Sequence, residues 1–405
     1  MLLRKKEKQH LKENKMTNSK NVIAVIGAGT MGSGIAQVAA QNGHSVILVD
    51  TNNKILDKSK EKLLKVLNRI VEKEKISQQK ADEIITNISY TNKLESIKDA
   101  GLVIEAIIED LKIKHSLLKK IEEIVSENCI ISSNTSSLSI ASLGSCLKKS
   151  NRIIGLHFFN PAPLMPLVEI IPAVQTDTDV IEICKSLMKS WSKTGVLCKD
   201  TPGFIVNRVA RPFYGEALRI YEEGVGDFAT IDWAMTAIGG FKMGPFTLMD
   251  YIGNDVNYAV TCSVFEAFYY DPRFKPSFTQ RRHSEAGYLG RKTGRGYYNY
   301  NEESNNSSPN KDPKLGKAIF ERILVLLINE AIDAVFMQIA NVEDVDLAMT
   351  KGVNYPKGLL KWADEIGLDN VLDRLNILFE EYGEDRYRPN PLLKRMARAN
   401  LTFYN

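Results

Sequence analysis

Gly27, Gly29 and Gly32 fall in the run GAGTMG, between an apolar stretch (Val22–Ile26) and an Ala-rich segment with the period of a helix. A second apolar stretch, Val46–Val49, ends on Asp50. Each residue type has a physical task in that order. The first glycine permits a tight turn, the second lets the backbone approach a pyrophosphate, and the third lets helix and strand pack closely. The helix start then presents free N–H groups to phosphate. Thr30 and Met31 stand in the same turn and count with the dinucleotide contacts. A carboxylate at Asp50 accepts the hydroxyls of an adenosine ribose and repels a 2′-phosphate, so NAD is favoured over NADP.

Three further clusters carry polar side chains suited to chemistry. SSNTSS (132–137) ends a predicted strand, the place where α/β sheets hold ligands. HFFNPAPLMPLVE (157–169) sets His157 at the end of one strand and Glu169 twelve residues on, in the next. PGFIVNR (202–208) opens a helical region with Asn207 in its first or second turn. An imidazole titrates near neutral pH, which suits a group that must both take and return a proton. A carboxylate behind it fixes the tautomer and stabilises the imidazolium. Lys65, Arg69 and Lys73 recur every four residues, so they share a helix face able to take phosphates.

The elements that must position these residues alternate over residues 20–200. A basic helix is expected over 54–75 and a shorter one near 78–85. Strands follow at 101–107, 129–133, 153–159, 167–171 and 196–199, with helices from about 110, near 139 and over 178–193. That pattern predicts a mainly parallel, doubly wound Rossmann-type sheet. At Pro202 the strand pattern stops and residues 202–301 read as helices, closing on GYLGRKTGRGYYNY (287–300). A polar linker, EESNNSSPN, begins at 302, and the boundaries read as 201–301, a linker at 302–312 and a last domain at 313–405.

The last domain repeats the one before it. EAL at 216–218 returns as EAI at 330–332, IDWAM at 231–235 as VDLAM at 345–349, and MGPFTLMDYIG at 243–253 as KGLLKWADEIG at 357–367. The offset is 114 residues throughout, and one deletion then aligns RFKP (273–276) with RYRP (386–389). A tandem duplication explains a constant register. Two such copies can bury each other's apolar faces as two subunits of a homodimer do.

With GAGTMG, NTSS, HFFNP, PGF-VNR and GRKTG-G-Y in this order, the chain resembles the L-3-hydroxyacyl-CoA dehydrogenases from residue 20 onward. The resemblance implies NAD as cofactor and reversible oxidation of (S)-3-hydroxyacyl-CoA to 3-oxoacyl-CoA. It makes His157 the base, Glu169 its partner, and Ser136 and Asn207 the hydrogen-bond donors that position substrate. It also places Glu109, Lys114, Asn134, Asn160 and Lys292 around the nicotinamide half of NAD, and Lys73 and Arg69 near the CoA phosphates. In the second helical copy Asn207 falls on Glu321, while Arg208 keeps Arg322. That copy ends without a GRKTG segment, so it reads as structural, with one active site per chain.

Composition bounds the partners. The chain of 405 residues carries a net charge of +4, and its first fifteen residues alone hold six Lys/Arg against two Glu. The body is thus close to neutral, which argues against nucleic acid. No apolar run is long enough to span a bilayer. Residues 1–19 read as a basic tail outside the fold, either disordered or preceding a true start at Met16. Five scattered cysteines read as reduced thiols of a cytoplasmic protein, and neither they nor the five histidines have metal-ligand spacing. The assembly reads as a monomer with an internal pseudo-dimer, or a homodimer. Two other readings keep the fold: an NAD-dependent sugar-acid dehydrogenase of gulonate type, and a non-catalytic, crystallin-like NAD-binding protein.

Overall fold

The computed structural model describes residues 22–302 and 306–404; the basic tail at 1–19 lies outside them. The chain divides between Asp200 and Thr201 into two compact units. Among the described residues no helix is long and apolar enough to cross a membrane.

The first unit is an eight-stranded sheet. Its strands are β1 (Val22–Ile26), β2 (Ser45–Val49), β3 (Ile88–Thr91), β4 (Leu102–Glu105), β5 (Ile130–Ser133), β6 (Ile153–Phe158), β7 (Leu167–Pro172) and β8 (Thr194–Leu197). Their spatial order is β3-β2-β1-β4-β5-β6-β7-β8. The chain thus leaves β1 toward one edge and resumes at β4 on the other side, which makes the crevice beyond β1 and β4 a topological switch point. Helices α1 (Thr30–Gln41), α2 (Asn53–Glu72), α3 (Gln78–Thr86), α4 (Leu111–Ile124), α5 (Ile140–Gly144) and α6 (Thr178–Ser190) connect the strands. Ile23, Val25, Val46, Leu48, Leu102 and Ile104 face this core, and α2 adds Leu56, Leu63 and Leu67. Asn52 starts α2 by accepting from Lys54 N.

One feature differs from the sequence reading, and a second refines its mainly parallel sheet. Strand β3 has no counterpart in that reading: of ISYT only Ile88 is buried, so an edge strand leaves little hydrophobic period. The β6–β7 pair is antiparallel within an otherwise parallel sheet. Residues 159–166 are too few for a parallel crossover, which needs a dozen or more.

The second unit is helical: α7 (Val206–Val209), α8 (Arg211–Glu222), α9 (Phe228–Trp233), α10 (Pro245–Ile252), α11 (Asn254–Ala267), α12 (Phe278–Glu285), α13 (Pro313–Phe336), α14 (Val342–Gly352), α15 (Leu359–Ile366), α16 (Leu368–Tyr382) and α17 (Pro391–Arg398). The same polar device recurs at the 114-residue offset. Asp232 accepts from Phe246 N and Thr247 N at the start of α10, and from Tyr298 Oη. Asp346 accepts from Leu360 N and Lys361 N at the start of α15, and from Tyr404 Oη. Asp250 holds Tyr297 N and Tyr298 N; Asp364 holds Phe403 N and Tyr404 N. The second copy has lost GRKTG, yet its last residues still occupy the place of the tyrosines that follow that segment.

Between the copies the ion pairs are reciprocal. Arg208 and Arg273 meet Glu330 and Asp333, the Arg273 Nη1–Glu330 distance being 3.0 Å. In turn Arg322 and Arg386 meet Glu216, with Arg322 Nε at 2.6 Å and Arg386 Nη1 at 3.7 Å. Residue i thus meets j and the mate of j meets the mate of i, the signature of an isologous contact. Glu216 is 1% exposed and also accepts from Tyr387 Oη. Replacing Arg322 by Leu leaves this buried carboxylate short of its cation. Losing one partner of a buried pair costs about 3–5 kcal/mol, so the melting temperature should fall by several degrees in calorimetry. An unchanged melting temperature would show that the pair does not hold the copies together.

Candidate active site

The glycine loop is built for close approach. Gly27 has φ +101°, and a Cβ there would sit 2.6 Å from Ala106 O. A Cβ at Gly32 would sit 1.8 Å from Gly27 O, so strand end and helix meet without room for a methyl group. At Gly29 the same construction meets nothing within 4 Å, which leaves space over the start of α1. Gly29 and Thr30 are exposed and Met31 is half-buried. No side chain caps α1 and its first turn holds no acid. Its N–H groups and positive dipole end are therefore available to phosphate, which is what a dinucleotide needs there. Asp50, just past β2, accepts from Ala28 N and Asn52 N at 2.9 Å each. Its carboxylate is thereby fixed beside the loop.

The next carboxylates line the ends of β4 and β5. Glu105, the last residue of β4, is fully buried and takes Lys114 Nζ at 2.6 Å, Ser133 Oγ at 2.6 Å and Ile107 N at 2.7 Å. Lys114 is 1% exposed and reaches on to Glu109 at 3.2 Å. Glu109 collects the NTSS segment through Thr135 Oγ1, Ser136 N and Ser137 Oγ. Burial works to raise the pKa of Glu109, but Lys114, the Thr135 hydroxyl and the Ser136 N–H outweigh it and hold the carboxyl below its ordinary range. Asn134 ties this loop to the next strand by accepting from Phe158 N at 2.8 Å.

His157 and Glu169 are directly opposed across the β6–β7 pair. Opposed residues share a face of the sheet, so the antiparallel turn itself creates their contact. His157 Nδ1 lies 2.6 Å from Glu169 Oε2, with Glu169 fully buried and His157 nearly so. Asn160 is exposed just beyond β6. Within the first unit the structure brings the glycine loop, Asp50, Glu109, Lys114, Asn134, Ser136 and His157 to the carboxyl ends of neighbouring parallel strands, and Glu169 joins them from the first half of the antiparallel β7.

Other positions stand apart from that group. Lys65 and Arg69 are exposed on α2. Lys73 is the residue that caps α2, also exposed. In the second unit Asn207 lies half-buried in α7, next to the buried Arg208 that pairs with Asp333 and Glu330 of the other copy. Lys292 is half-exposed and pairs with Asp255 through Nζ at 2.5 Å. At the place of Asn207, the second copy has Glu321 in ion pairs with Lys317 and Arg374.

Glu105 is the site residue that the motif reading passed over. Its signal was present: GLVIEAI puts an acid in the middle of an apolar strand, where a charge needs a buried partner. Thr135 and Ser137 were hidden for the opposite reason, since one hydroxyl among five looks like any other.

Comparison with known proteins agrees with this geometry. The family model described as the NAD binding domain of 3-hydroxyacyl-CoA dehydrogenase matches residues 22–201. The model of that family's C-terminal domain matches residues 203–300 and 319–402. The chain belongs to the 3-hydroxyacyl-CoA dehydrogenase family and is an NAD-dependent oxidoreductase of that class. It is 35% identical to the 3-hydroxyadipyl-CoA dehydrogenase of Escherichia coli, covering 93% of this chain and 97% of that protein. It is 41% identical to the mitochondrial hydroxyacyl-coenzyme A dehydrogenase of Sus scrofa over 69% of this chain and 90% of that one. A crystal structure of an Escherichia coli 3-hydroxybutyryl-CoA dehydrogenase superposes with TM-score 0.89 at 34% identity, covering 94% of this chain and 98% of that one.

Lys114→Met tests how the carboxylates are held. It leaves Glu105 buried without its cation, at a cost of about 3–5 kcal/mol, and releases Glu109 from one of its tethers. Lower thermal stability together with weaker NADH binding by fluorescence titration is expected. Wild-type values for both would show that the ammonium does not organise the site.

Proposed function

We propose that the chain oxidises the 3-hydroxyl of (S)-3-hydroxyacyl-CoA thioesters, reversibly, with His157 as general base. The observation that carries this is the buried His157–Glu169 pair, 2.6 Å apart, on the sheet of an NAD-binding unit. Glu169 engages Nδ1 and fixes the tautomer, and Nε2 takes the hydroxyl proton and later returns it. Glu169 also stabilises the imidazolium once the proton has moved. Ser136 and Asn207 position the oxygen at C3. Glu109 and Asn134, held as described, orient the nicotinamide end; Lys114 acts by holding Glu109, and Asn160 and Lys292 complete that set. Gly27, Gly29, Thr30, Met31 and Gly32 hold the pyrophosphate, and Asp50 the adenosine ribose. NAD supplies the hydride acceptor when bound. Lys73 and Arg69, exposed on one side of α2, take the phosphates of CoA.

Two supporting readings concern the assembly and its surroundings. The second helical copy packs on the first in the place that a partner subunit takes in single-copy relatives, and Glu321 in place of Asn207 makes it structural. Five cysteines without a disulfide fit the reducing cytoplasm. The names of the relatives leave the acyl chain open: one is named for an adipyl chain, which ends in a carboxylate, the other for a butyryl chain.

His157→Gln should lower kcat for NADH-linked reduction of acetoacetyl-CoA by roughly 10²–10⁴-fold, while NADH still binds. Turnover near the wild-type rate would remove His157 from the mechanism, and a wild type that reduces a free sugar acid instead would replace the substrate class. Asp50→Ala should weaken NAD binding and relax discrimination against NADP, because it removes both the hydroxyl acceptor and the repulsion. Equal use of NADPH by the wild-type enzyme would contradict this role for Asp50.

A further inference from the structure

The two helical copies differ in one buried patch. Arg211, Tyr214, Asn257, Thr261 and Gln280 of the first copy are all buried. At the corresponding positions the second copy has Val325, Ile328, Val371, Leu375 and Leu393, also buried. The helical fold is thus satisfied by aliphatic packing there, and buried polar groups cost free energy unless fully paired. A polar cluster that the fold does not require, present in the copy that carries Asn207, serves another purpose.

The cluster does not satisfy itself. Arg211 donates from Nε to Asn207 O at 2.9 Å and from Nη1 to Thr261 Oγ1 at 3.2 Å. Gln280 Nε2 reaches Asn257 Oδ1 at 2.6 Å and Thr261 Oγ1 at 3.2 Å. Every hydrogen-bond acceptor of Arg211 is neutral, and its guanidinium lies over the Tyr214 ring, 4.9 Å from the centroid. Gln280 Oε1 is buried without a hydrogen-bond partner. Arg211, Thr261 and Gln280 line a cavity together with Lys275, Glu216 and Glu330. The two glutamates pair with other cations, Glu216 with Arg322 and Arg386 and Glu330 with Arg273 and Arg208, although Glu330 Oε2 is buried without a hydrogen-bond partner. Neither hydrogen-bonds Arg211, whose acceptors include no carboxylate. The cavity's volume is about 30 Å³; at roughly 10–15 Å³ for each water, it admits a carboxyl group and nothing as large as a ring or nucleotide.

We propose that this cavity receives the terminal carboxylate of a dicarboxylic acyl chain, with Arg211 as the residue that selects it. The proposal rests on the reading that Asn207 holds the substrate near its C3 oxygen. Arg211 lies four residues beyond Asn207, about 6 Å along a helical stretch, the reach of a short acyl tail past the oxidised carbon. A guanidinium edge matches a planar carboxylate in shape and charge. A methyl-ended chain leaves the guanidinium unanswered, which is how a site rejects the analogue that lacks a polar group.

The test compares 3-hydroxyadipyl-CoA with 3-hydroxyhexanoyl-CoA, thioesters that differ only in the group ending the chain. Full-length wild type, Arg211→Val (the residue of the second copy) and Arg211→Gln (polar but uncharged) are assayed by NADH formation. The wild type is expected to favour the adipyl thioester. Both variants should lower the adipyl-to-hexanoyl ratio of kcat/KM by roughly ten- to a hundredfold, the effect of one charge-assisted hydrogen-bonded contact. If the valine variant does not fold, the glutamine variant decides. Loss of rate on both thioesters at an unchanged ratio would overturn the proposal and leave Arg211 as a positioning residue for Asn207. Free adipate changing the wild-type rate equally on both thioesters, and only when Arg211 is present, would make this a separate anion site and overturn the proposal too. Failure of the wild type on every 3-hydroxyacyl-CoA would instead fall on the function proposed above.

Discussion

One ammonium group organises the first unit's functional edge. Lys114 is fully buried, and it stays there because Glu105 and Glu109 both reach its Nζ. Through Glu105 it fixes the end of β4 and the Ser133 hydroxyl of β5; through Glu109 it gathers Thr135, Ser136 and Ser137. A buried ion triad is poor as a source of stability, since desolvation offsets most of the Coulombic gain. Its value here lies in direction. Two loops that leave two different strands, β4 and β5, are given one arrangement, and the glycine loop beside them is held by Ala106 N on Ile26 O and Ala28 N on Asp50. The glycine loop, Asp50 and the polar loop are thereby set in one fixed frame.

The His157–Glu169 pair obeys a different constraint. It depends on a single antiparallel pairing in a parallel sheet, and on register: a slip of one residue would turn both side chains to the other face. Nothing else in the unit needs β7 to run backward. The short connection over 159–166 is what forces it, so the HFFNP turn shapes the site even where its side chains do not enter it.

Much of this was legible before any coordinate. The glycine loop, Asp50, and the strands carrying SSNTSS and His157 lie where periodicity and turn residues put them, because buried parallel strands and amphipathic helices write strong patterns. Glu105 was visible as a charge in an apolar run but could not be assigned, since its partner Lys114 stands nine residues on, across a turn. β3 was illegible because an edge strand buries only one residue. The retention of Phe403 and Tyr404 on Asp364 was hidden by the loss of eight residues before them, which breaks the 114-residue register. No motif in the sequence singles out Arg211, three residues past PGFIVNR. Only its buried position, and the valine at the same place in the other copy, set it apart.

The reciprocal arginine–glutamate contacts between the helical copies have a consequence for evolution and for dilution alike. In a homodimer each substitution appears on both sides of the axis, so neither half can change alone, and dissociation follows mass action. Covalent linkage removes both restrictions. The contact survives at any protein concentration, its effective concentration being set by the tether. The two halves can also drift independently, as Glu321 and Val325, aligned with Asn207 and Arg211, record.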